Sequence, residues 1–157
     1  MRGRSLPRTA VVCAGVLLAG LLRAPAARPT TSYLVIVNAE NPVEELSRDD
    51  VSRIFLKKTA HWPDGRAVAP LDLAPTVPVR GEFSREVLRK SVRAVQAYWK
   101  REIFSGRSSP PPELATEAEV VAAVRANPHA VGYVSDEASL FGVKIIDVLD
   151  AVPAPGN

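Results

Sequence analysis

Residues 41–65, NPVEELSRDDVSRIFLKKTAHWPDG, decide how the chain is organised. Ser47 is a good helix N-cap, and Asp50 three positions later makes a variant capping box. The apolar residues behind this cap recur at the spacing of one helix face: Val51, Ile54 and Phe55. An Asn-Pro turn precedes the helix, and a Pro-Asp-Gly turn follows Trp62. The segment therefore predicts a small packed helical unit, not a catalytic motif.

Four segments have the composition of strands. Residues 33–37 (YLVIV) form an apolar run rich in β-branched residues, which predicts a strand buried on both faces. Residues 67–73 (AVAPLDL) predict a second strand, and Pro70 within it favours an edge or irregular strand. Residues 130–134 and 143–149 predict two more. Because these strands alternate with helices, we expect a single α/β layered domain with a mainly parallel or mixed sheet flanked by helices.

Three further helices are predicted between the second strand and the last two. The first has apolar residues at i, i+4 and i+8: Val79, Phe83 and Val87. The second starts at the N-cap Ser91 and ends before Gly106, and the third starts with a capping box of Thr116 and Glu119. The inward stripe of the second helix is predicted to be Val92, Val95, Trp99 and Ile103. Most aromatic residues lie at positions typical of a core: Phe55, Phe83, Tyr98, Trp99 and Phe104.

Residues 1–26 predict a secretory signal peptide. Three arginines precede the apolar run 9–22, and an Ala-Pro-Ala triplet supplies small residues for a cleavage site. An uncleaved membrane anchor is the alternative, but this run is short for a span of about 20 residues. We therefore expect residues 27–150 to form a domain in the periplasm or outside the cell. Residues 151–157 then form a flexible, proline-rich tail.

The formal net charge of +3 originates in this leader. Four of the 20 basic residues and none of the 17 acidic residues lie there, so the mature chain has sixteen basic residues and a net charge of −1. This balance gives no electrostatic case for nucleic-acid binding. The single cysteine, Cys13, also lies in the leader. Disulfides, thiol catalysis and thiolate metal sites are therefore not expected in the mature chain.

The chain carries no motif of an enzyme or of a metal centre. It lacks a G-x-S-x-G elbow and both glycine-rich nucleotide-binding motifs. His61 and His129 lie far apart, and neither has a second ligand at metal-binding spacing. The acidic pairs Glu44-Glu45 and Asp49-Asp50 suit the start of a helix because they complement its dipole. We expect no catalytic activity, no cofactor and no metal.

The order of these features resembles the second lobe of periplasmic phosphate-binding proteins, the solute receptors of phosphate ABC transporters. The shared features are a strand followed by Asn-Pro, a capped helix ending in Ile-Phe, a tryptophan before an Asp-Gly turn, Arg80, and Asn127-Pro128 before Val131-Gly132-Tyr133. This resemblance covers roughly residues 33–134 and implies one lobe of a type II periplasmic-binding-protein fold. It also implies phosphate or another small oxyanion as ligand, and a membrane transporter or envelope protein as partner.

Residues 72–83, DLAPTVPVRGEF, correspond to the implied oxyanion site. In phosphate-binding proteins this turn often carries Ser-Gly-Thr-Arg at a helix N-terminus, where free amides, a hydroxyl and a guanidinium hold the anion. Arg80 matches, but residues 77–79 are Val-Pro-Val, and Pro78 lacks an N–H. Thr76 is a candidate donor or N-cap. Thr76 and Arg80 are therefore the candidate ligand-binding residues of a degraded site; alternatively, Arg80 is a solvated first-turn residue that contributes little to folding.

A two-lobed receptor closes its other lobe over the ligand, whereas only the predicted leader precedes Tyr33 here. A single lobe leaves half of the anion to water, so we expect weak affinity unless another chain completes the site. The sequence thus predicts an exported, non-catalytic solute-binding-like protein with a partial oxyanion site. The alternative is an envelope interaction module derived from such a lobe that has lost its ligand. An exposed apolar patch on the face where the missing lobe would pack would favour the module, and donors converging near Thr76 and Arg80 would favour the receptor.

Overall fold

The computed structural model describes residues 32–150. The predicted signal peptide, residues 1–26, and the predicted tail, residues 151–157, lie outside the described residues. The strands are β1 Tyr33–Asn38, β2 Glu45–Ser47, β3 Ala69–Pro70, β4 Asp72–Leu73, β5 Glu113–Leu114, β6 Ala130–Ser135 and β7 Val143–Leu149. The helices are α1 Arg48–Phe55, α2 Pro78–Glu86, α3 Val92–Phe104 and α4 Glu117–Ala126.

Five strands form one mixed sheet in the order β2-β7-β1-β6-β3. β1 lies at its centre and runs antiparallel to both neighbours, with Ile36 opposite Gly132 of β6 and Ile145 of β7. The edge strands run parallel to their neighbours, β2 to β7 and β3 to β6. The last four residues of β1 are buried, which confirms the predicted strand covered on both faces. The α/β class with a mixed sheet is confirmed. The parallel strand pairs of this sheet are those formed by its two edge strands.

Residues 67–73, predicted as one irregular strand, are divided between two sheets. β3 ends at Pro70 and lies at the edge of the large sheet, where a missing N–H is tolerated. The Leu71 amide still donates to β6 at 2.8 Å, but the Asp72 amide donates to the segment before β5 at 2.9 Å. β4 then pairs with β5 in a separate two-stranded parallel sheet. This switch brings β4 beside the start of α2.

The helix predicted from the first segment is α1. Ser47 is its N-cap and accepts a hydrogen bond from the Asp50 amide at 3.1 Å. The predicted apolar face is buried: Val51, Ile54 and Phe55. The Phe55 ring contacts Phe83 edge-on at 4.8 Å and Tyr133 at 5.6 Å, measured between ring centroids. α1 therefore supplies one wall of an aromatic core cluster.

The predicted signals at the helix ends are also confirmed. Ser91 caps α3 by accepting from the Ala94 amide at 3.2 Å. Thr116 and Glu119 form the capping box of α4. Gly106 follows α3 with a φ of +65°, the left-handed conformation that glycine adopts at a helix C-terminus.

The last turn of α3 departs from the prediction. Val95 and Trp99 are buried as expected, but Ile103, assigned to the same inward stripe, is 53% exposed. Phe104, placed in the core by its spacing, is 91% exposed. α3 packs against α2 and has 13 residues, whereas α2 has 9. At 1.5 Å per residue α3 is about 6 Å longer than its partner, and the last residue of the predicted stripe is the one left exposed.

α4 is fixed closely to the large sheet. A Cβ atom on Gly132 of β6 would lie 2.5 Å from Val120 and 3.3 Å from Val124, so only glycine permits this approach. At the other end, the Asn38 side chain donates to the carbonyl oxygens of Val124 (3.1 Å) and Arg125 (2.8 Å). Those carbonyls belong to the last turn of α4, where helix carbonyls lack partners in the helix itself. The central strand β1 therefore supplies hydrogen bonds to two carbonyls at the end of α4.

Candidate functional site: the start of helix α2

The candidate oxyanion site lies where the chain enters α2. Pro78 occupies the first turn, where its missing N–H is tolerated and its fixed φ suits the helix. The N-cap is Val77, which has no side-chain oxygen to cap with, so Thr76 is not the N-cap. Thr76 is exposed one residue earlier. The amides of Val77 and Arg80 already donate to the carbonyls of Ala74 and Val77, each at 3.0 Å. The turn therefore offers an anion few free backbone donors.

The Arg80 side chain lies inside the protein and is only 1% exposed. Its Nη1 donates to the Leu73 carbonyl at 3.1 Å and to the Tyr133 hydroxyl at 3.3 Å. It also forms an ion pair with the buried carboxylate of Asp72. The expectation of a solvated first-turn arginine is therefore wrong. Arg80 follows Val79 on the face that α2 turns inward, together with Phe83 and Ser84.

Tyr133 and Asp72 complete this buried cluster. The Tyr133 hydroxyl donates to Asp72 Oδ1 at 2.6 Å, and the same oxygen accepts from the Leu73 amide at 2.9 Å. Phe83 stacks flat on the Tyr133 ring with centroids 3.7 Å apart. Burial raises the pKa of Tyr133 well above its usual range, and the charge of Arg80 opposes part of that shift. Tyr133 therefore stays protonated and able to donate to Asp72.

The positive charge of Arg80 is compensated within the protein. Glu113, which is half exposed, places Oε1 3.7 Å from Arg80 Nη2, in addition to the contact with Asp72. One guanidinium thus faces two carboxylates, and the formal charge of the group is −1. Nε and Nη2 of Arg80 and Oγ of Ser84 have no hydrogen-bond partner among the described residues. An anion reaching this point would meet a compensated cation, which weakens electrostatic attraction.

The two candidate ligand-binding residues therefore lie in different environments. Thr76 is exposed before α2, and Arg80 is buried one turn later. Sequence reasoning did not single out Asp72 and Tyr133, although both lie in otherwise apolar strand segments. A charged or hydroxyl-bearing residue in such a segment requires a buried partner. The two polar residues could therefore have indicated a buried partner from the sequence alone, and in the structure that partner is Arg80.

A second concave site lies beside α4. It has a volume of about 430 Å³ and was not predicted. Glu117, one of its lining residues, accepts from the Ser135 amide at 2.6 Å and from the Ser135 hydroxyl at 2.8 Å. Phe141, 78% exposed, lies at its edge with the Arg125 guanidinium 5.9 Å from its ring centre. The partly buried carboxylate of Glu117 is thus occupied by internal bonds, and the site has an apolar edge.

His61 and His129 are both exposed and do not approach a set of ligands. His61 forms an isolated antiparallel bridge with Ala67, and the His129 amide donates to the side chain of Asn127 at 3.0 Å. Within residues 32–150, no group of three or more His, Cys, Asp or Glu side chains is arranged to hold a metal ion. No helix in that part of the chain has the length and hydropathy needed to cross a membrane.

Three of the solved structures that share this fold are substrate-binding proteins or receptors of phosphate transport. A phosphate-bound ABC transporter substrate-binding protein from Clostridium perfringens matches with a TM-score of 0.59 and 16% identity, covering 74% of this chain and 44% of that protein. An ABC-type phosphate transport receptor from Vibrio cholerae matches at 0.55 and 18%, covering 73% and 44%. PstS from Borrelia burgdorferi matches at 0.56 and 11%, covering 74% and 46%.

The chain spans less than half the length of these proteins. No protein-family model matches the sequence, and no curated protein does. At these identities the similarity is one of fold. The chain has the fold of one lobe of the substrate-binding proteins of phosphate ABC transporters, as the sequence motifs predicted.

Proposed function

We propose that the protein is an exported, non-catalytic solute-binding-like protein, resembling the phosphate-binding component of an ABC transporter, with a partial oxyanion site at the start of α2. The lobe fold supports the class, because the similar structures are solute-binding proteins and not enzymes. The observation that carries the proposal is the position of Thr76, an exposed hydroxyl before the N-terminus of a nine-residue helix. The positive end of the helix dipole and this hydroxyl favour an oxyanion there.

Other features of the same turn keep the affinity low. Pro78 lacks an N–H, the Val77 and Arg80 amides are already bonded, and Arg80 is compensated by Asp72. We therefore expect a dissociation constant for phosphate in the high-micromolar to millimolar range, about −4 to −6 kcal/mol. Completion of the site by a second lobe on another chain, such as a transporter component, would raise this affinity.

The test is a titration of the protein with phosphate, in which binding is measured by calorimetry and by changes in the amide resonances. Binding should shift the amide resonances of residues 76, 77 and 79–81, and Thr76→Val should weaken binding about threefold to tenfold, the loss of one hydrogen bond. Ser109→Ala, which removes an exposed hydroxyl from another loop, is the matched control and should change nothing. If millimolar phosphate shifts neither amide resonances nor the melting temperature, the receptor function is refuted.

The role of Arg80 needs a variant that keeps the fold. The double variant Asp72→Asn/Arg80→Met removes both opposite charges of the buried pair. If the guanidinium attracts the anion from below the turn, the double variant should bind phosphate more weakly than the wild type. Unchanged affinity would show that Arg80 has a purely structural role.

An interaction module is the second candidate function. It is favoured by large apolar residues that the described chain leaves at its surface: Ile103, Phe104 and Phe141. Such residues mark contact sites when they cluster, and Ile103 and Phe104 are adjacent. This second function would be supported if the protein binds no phosphate, co-purifies with a membrane transporter, and no longer does so after the substitution Phe104→Ser.

The predicted export of the protein is tested by measuring its intact mass. The Ala-Pro-Ala triplet at residues 24–26 follows an apolar run, so we expect cleavage after Ala26 or Ala27. Intact-mass analysis of protein from the cell envelope should show a chain without the first 26 or 27 residues. Envelope protein that retains them would contradict the predicted signal peptide.

A further inference from the structure

The outward face of α3 combines cations with a projecting aromatic ring. Arg93, Ala97, Lys100 and Phe104 are all exposed and recur at i, i+4, i+7 and i+11, the spacing of one helix face. Val95 and Trp99 occupy the opposite, buried face. Ile103 lies beside Phe104 and is also exposed. The two apolar side chains thus lie at the end of a cationic stripe.

The segment that includes α3 is the basic part of the described chain. Residues 89–107 contain one acid, Glu102, and six exposed cations: Arg89, Lys90, Arg93, Lys100, Arg101 and Arg107. Residues 32–150 hold 15 basic and 17 acidic residues in all, so nine basic and sixteen acidic residues remain outside this segment. Glu102 is itself bonded to Arg107 at 3.2 Å. Charge is therefore strongly separated between α3 and the rest of the domain.

We propose that the outward face of α3 docks on the surface of an anionic phospholipid bilayer, with Phe104 and Ile103 inserted among the headgroups. Juxtamembrane Lys and Arg residues are attracted to anionic lipid at about 1 kcal/mol each. Aromatic and aliphatic side chains at the end of a cationic face add apolar burial, as in helices that lie in the membrane interface. The acidic remainder of the domain is repelled by the same lipid, so the charge separation also orients the molecule.

The shape of the patch favours a bilayer over a folded acidic protein. Phe104 is the last residue of α3, and 91% of its surface is exposed. A deformable headgroup layer admits such a side chain without a complementary pocket, whereas a protein partner must supply one. Docking of this kind is reversible, because one or two inserted side chains bind only marginally without the cations.

The first experiment compares two exposed phenylalanines in the full chain, Phe104→Trp and Phe141→Trp. The natural tryptophans, Trp62 and Trp99, are 2% and 5% exposed, so the new indole dominates quenching from outside. Vesicles of phosphatidylglycerol with brominated acyl chains should quench Phe104→Trp and spare Phe141→Trp. Both variants share every other residue, so a difference in quenching reports which of the two positions lies in the bilayer. Equal quenching of both variants, or quenching of neither, would overturn the proposal.

The second experiment reverses charge. Arg93→Glu/Lys100→Glu should lower the partition constant on phosphatidylglycerol vesicles by at least about thirtyfold, relative to wild type, since two attractive cations are lost. Lys57→Glu/Lys58→Glu changes the net charge equally at an exposed site outside the segment and should have a much smaller effect. Equal losses in the two variants would mean that only the net charge of the protein determines its binding to the vesicles. This result would refute docking through the outward face of α3. So would a lipid-free dimer, seen by sedimentation, that Phe104→Ser abolishes, because the face would then be a protein interface.

Discussion

Helices α2 and α3 are consecutive and packed together, yet each places one residue against the preference of its side chain. α2 buries a guanidinium, Arg80, and α3 exposes a phenyl ring, Phe104. The buried arginine is compensated by Asp72, Tyr133 and the Leu73 carbonyl, which come from two other strands. The Phe104 ring lies on the outward face of α3, opposite the side that buries Val95 and Trp99, and is 91% exposed. The face that a residue occupies on its helix thus decides its burial, and the neighbouring elements decide whether a charged side chain is stabilised there.

The largest effect is expected on the buried side. Arg80→Ala leaves the Asp72 carboxylate buried without its cation and removes the packed stem of the arginine, so it should lower the free energy of unfolding by about 3–5 kcal/mol or more. Chemical denaturation measures this. Arg85→Ala, which removes an exposed arginine paired with Glu82 on the same helix, is the control and should cost less than about 1 kcal/mol. Equal effects of the two substitutions would mean that the Arg80 pair is open to solvent.

Phe55→Ala tests the aromatic core that the Arg80 cluster adjoins. Phe55 is buried against Phe83 and Tyr133, so the truncation should lower the free energy of unfolding by about 3–5 kcal/mol through lost burial and a cavity. The measurement is again denaturant unfolding, with the slope compared to that of the wild type. A loss below about 1 kcal/mol would contradict the burial of the α1 face.

Tyr133→Phe should have an intermediate effect. It removes a donor to Asp72 and an acceptor for Arg80, which should cost about 1–3 kcal/mol at neutral pH. Since burial raises the pKa of Tyr133, the folded state keeps this proton at pH values where the unfolded chain, with a tyrosine pKa of 10.0, loses it. The free energy of unfolding should therefore fall as the pH rises above that value. Tyr133→Phe should remove the contribution of this residue to the decrease in the free energy of unfolding at alkaline pH. An unchanged pH dependence would contradict the assignment of this contribution to Tyr133.

Phe104→Ala should have the smallest effect on stability, below about 0.5 kcal/mol, because the ring is mostly in water. It is the matched control for Phe55→Ala, the same substitution in a buried ring. Thermal unfolding in the absence of lipid measures it. A loss near that of Phe55→Ala would show that the end of α3 is covered in the folded protein.

Local signals allowed most of the fold to be predicted. Ser47, Ser91 and the Thr116/Glu119 box mark helix starts, because a side-chain oxygen next to an apolar stripe satisfies free amides wherever the helix packs. β1 was recognisable because a run covered on both faces must be apolar throughout. Pro70 correctly indicated irregularity, but the division of its segment between two sheets depends on β5, forty residues later.

The candidate site was less predictable for the same reason. Thr76 and Arg80 are near each other in sequence, but the direction of the arginine side chain is set by Asp72 on β4 and Tyr133 on β6. Those contacts exist only after the chain has folded, so no short motif contains them. Similarly, Ile103 continues the apolar spacing of α3 but is exposed, so the spacing alone did not show where the packing of this helix ends.

The position of β1 has a consequence for the order in which the domain assembles. β1 is the first strand, and its ladders join Tyr33 to Ser135 and Asn38 to Val143, about a hundred residues away. Such non-local pairing makes folding slow, because a long loop must close before the contacts compensate for it. A nascent chain that has not yet reached β6 and β7 therefore carries its most apolar strand with both edges unpaired, a template for aggregation. The domain is completed from its C-terminal end, and a chaperone that covers residues 33–38 would protect it until then.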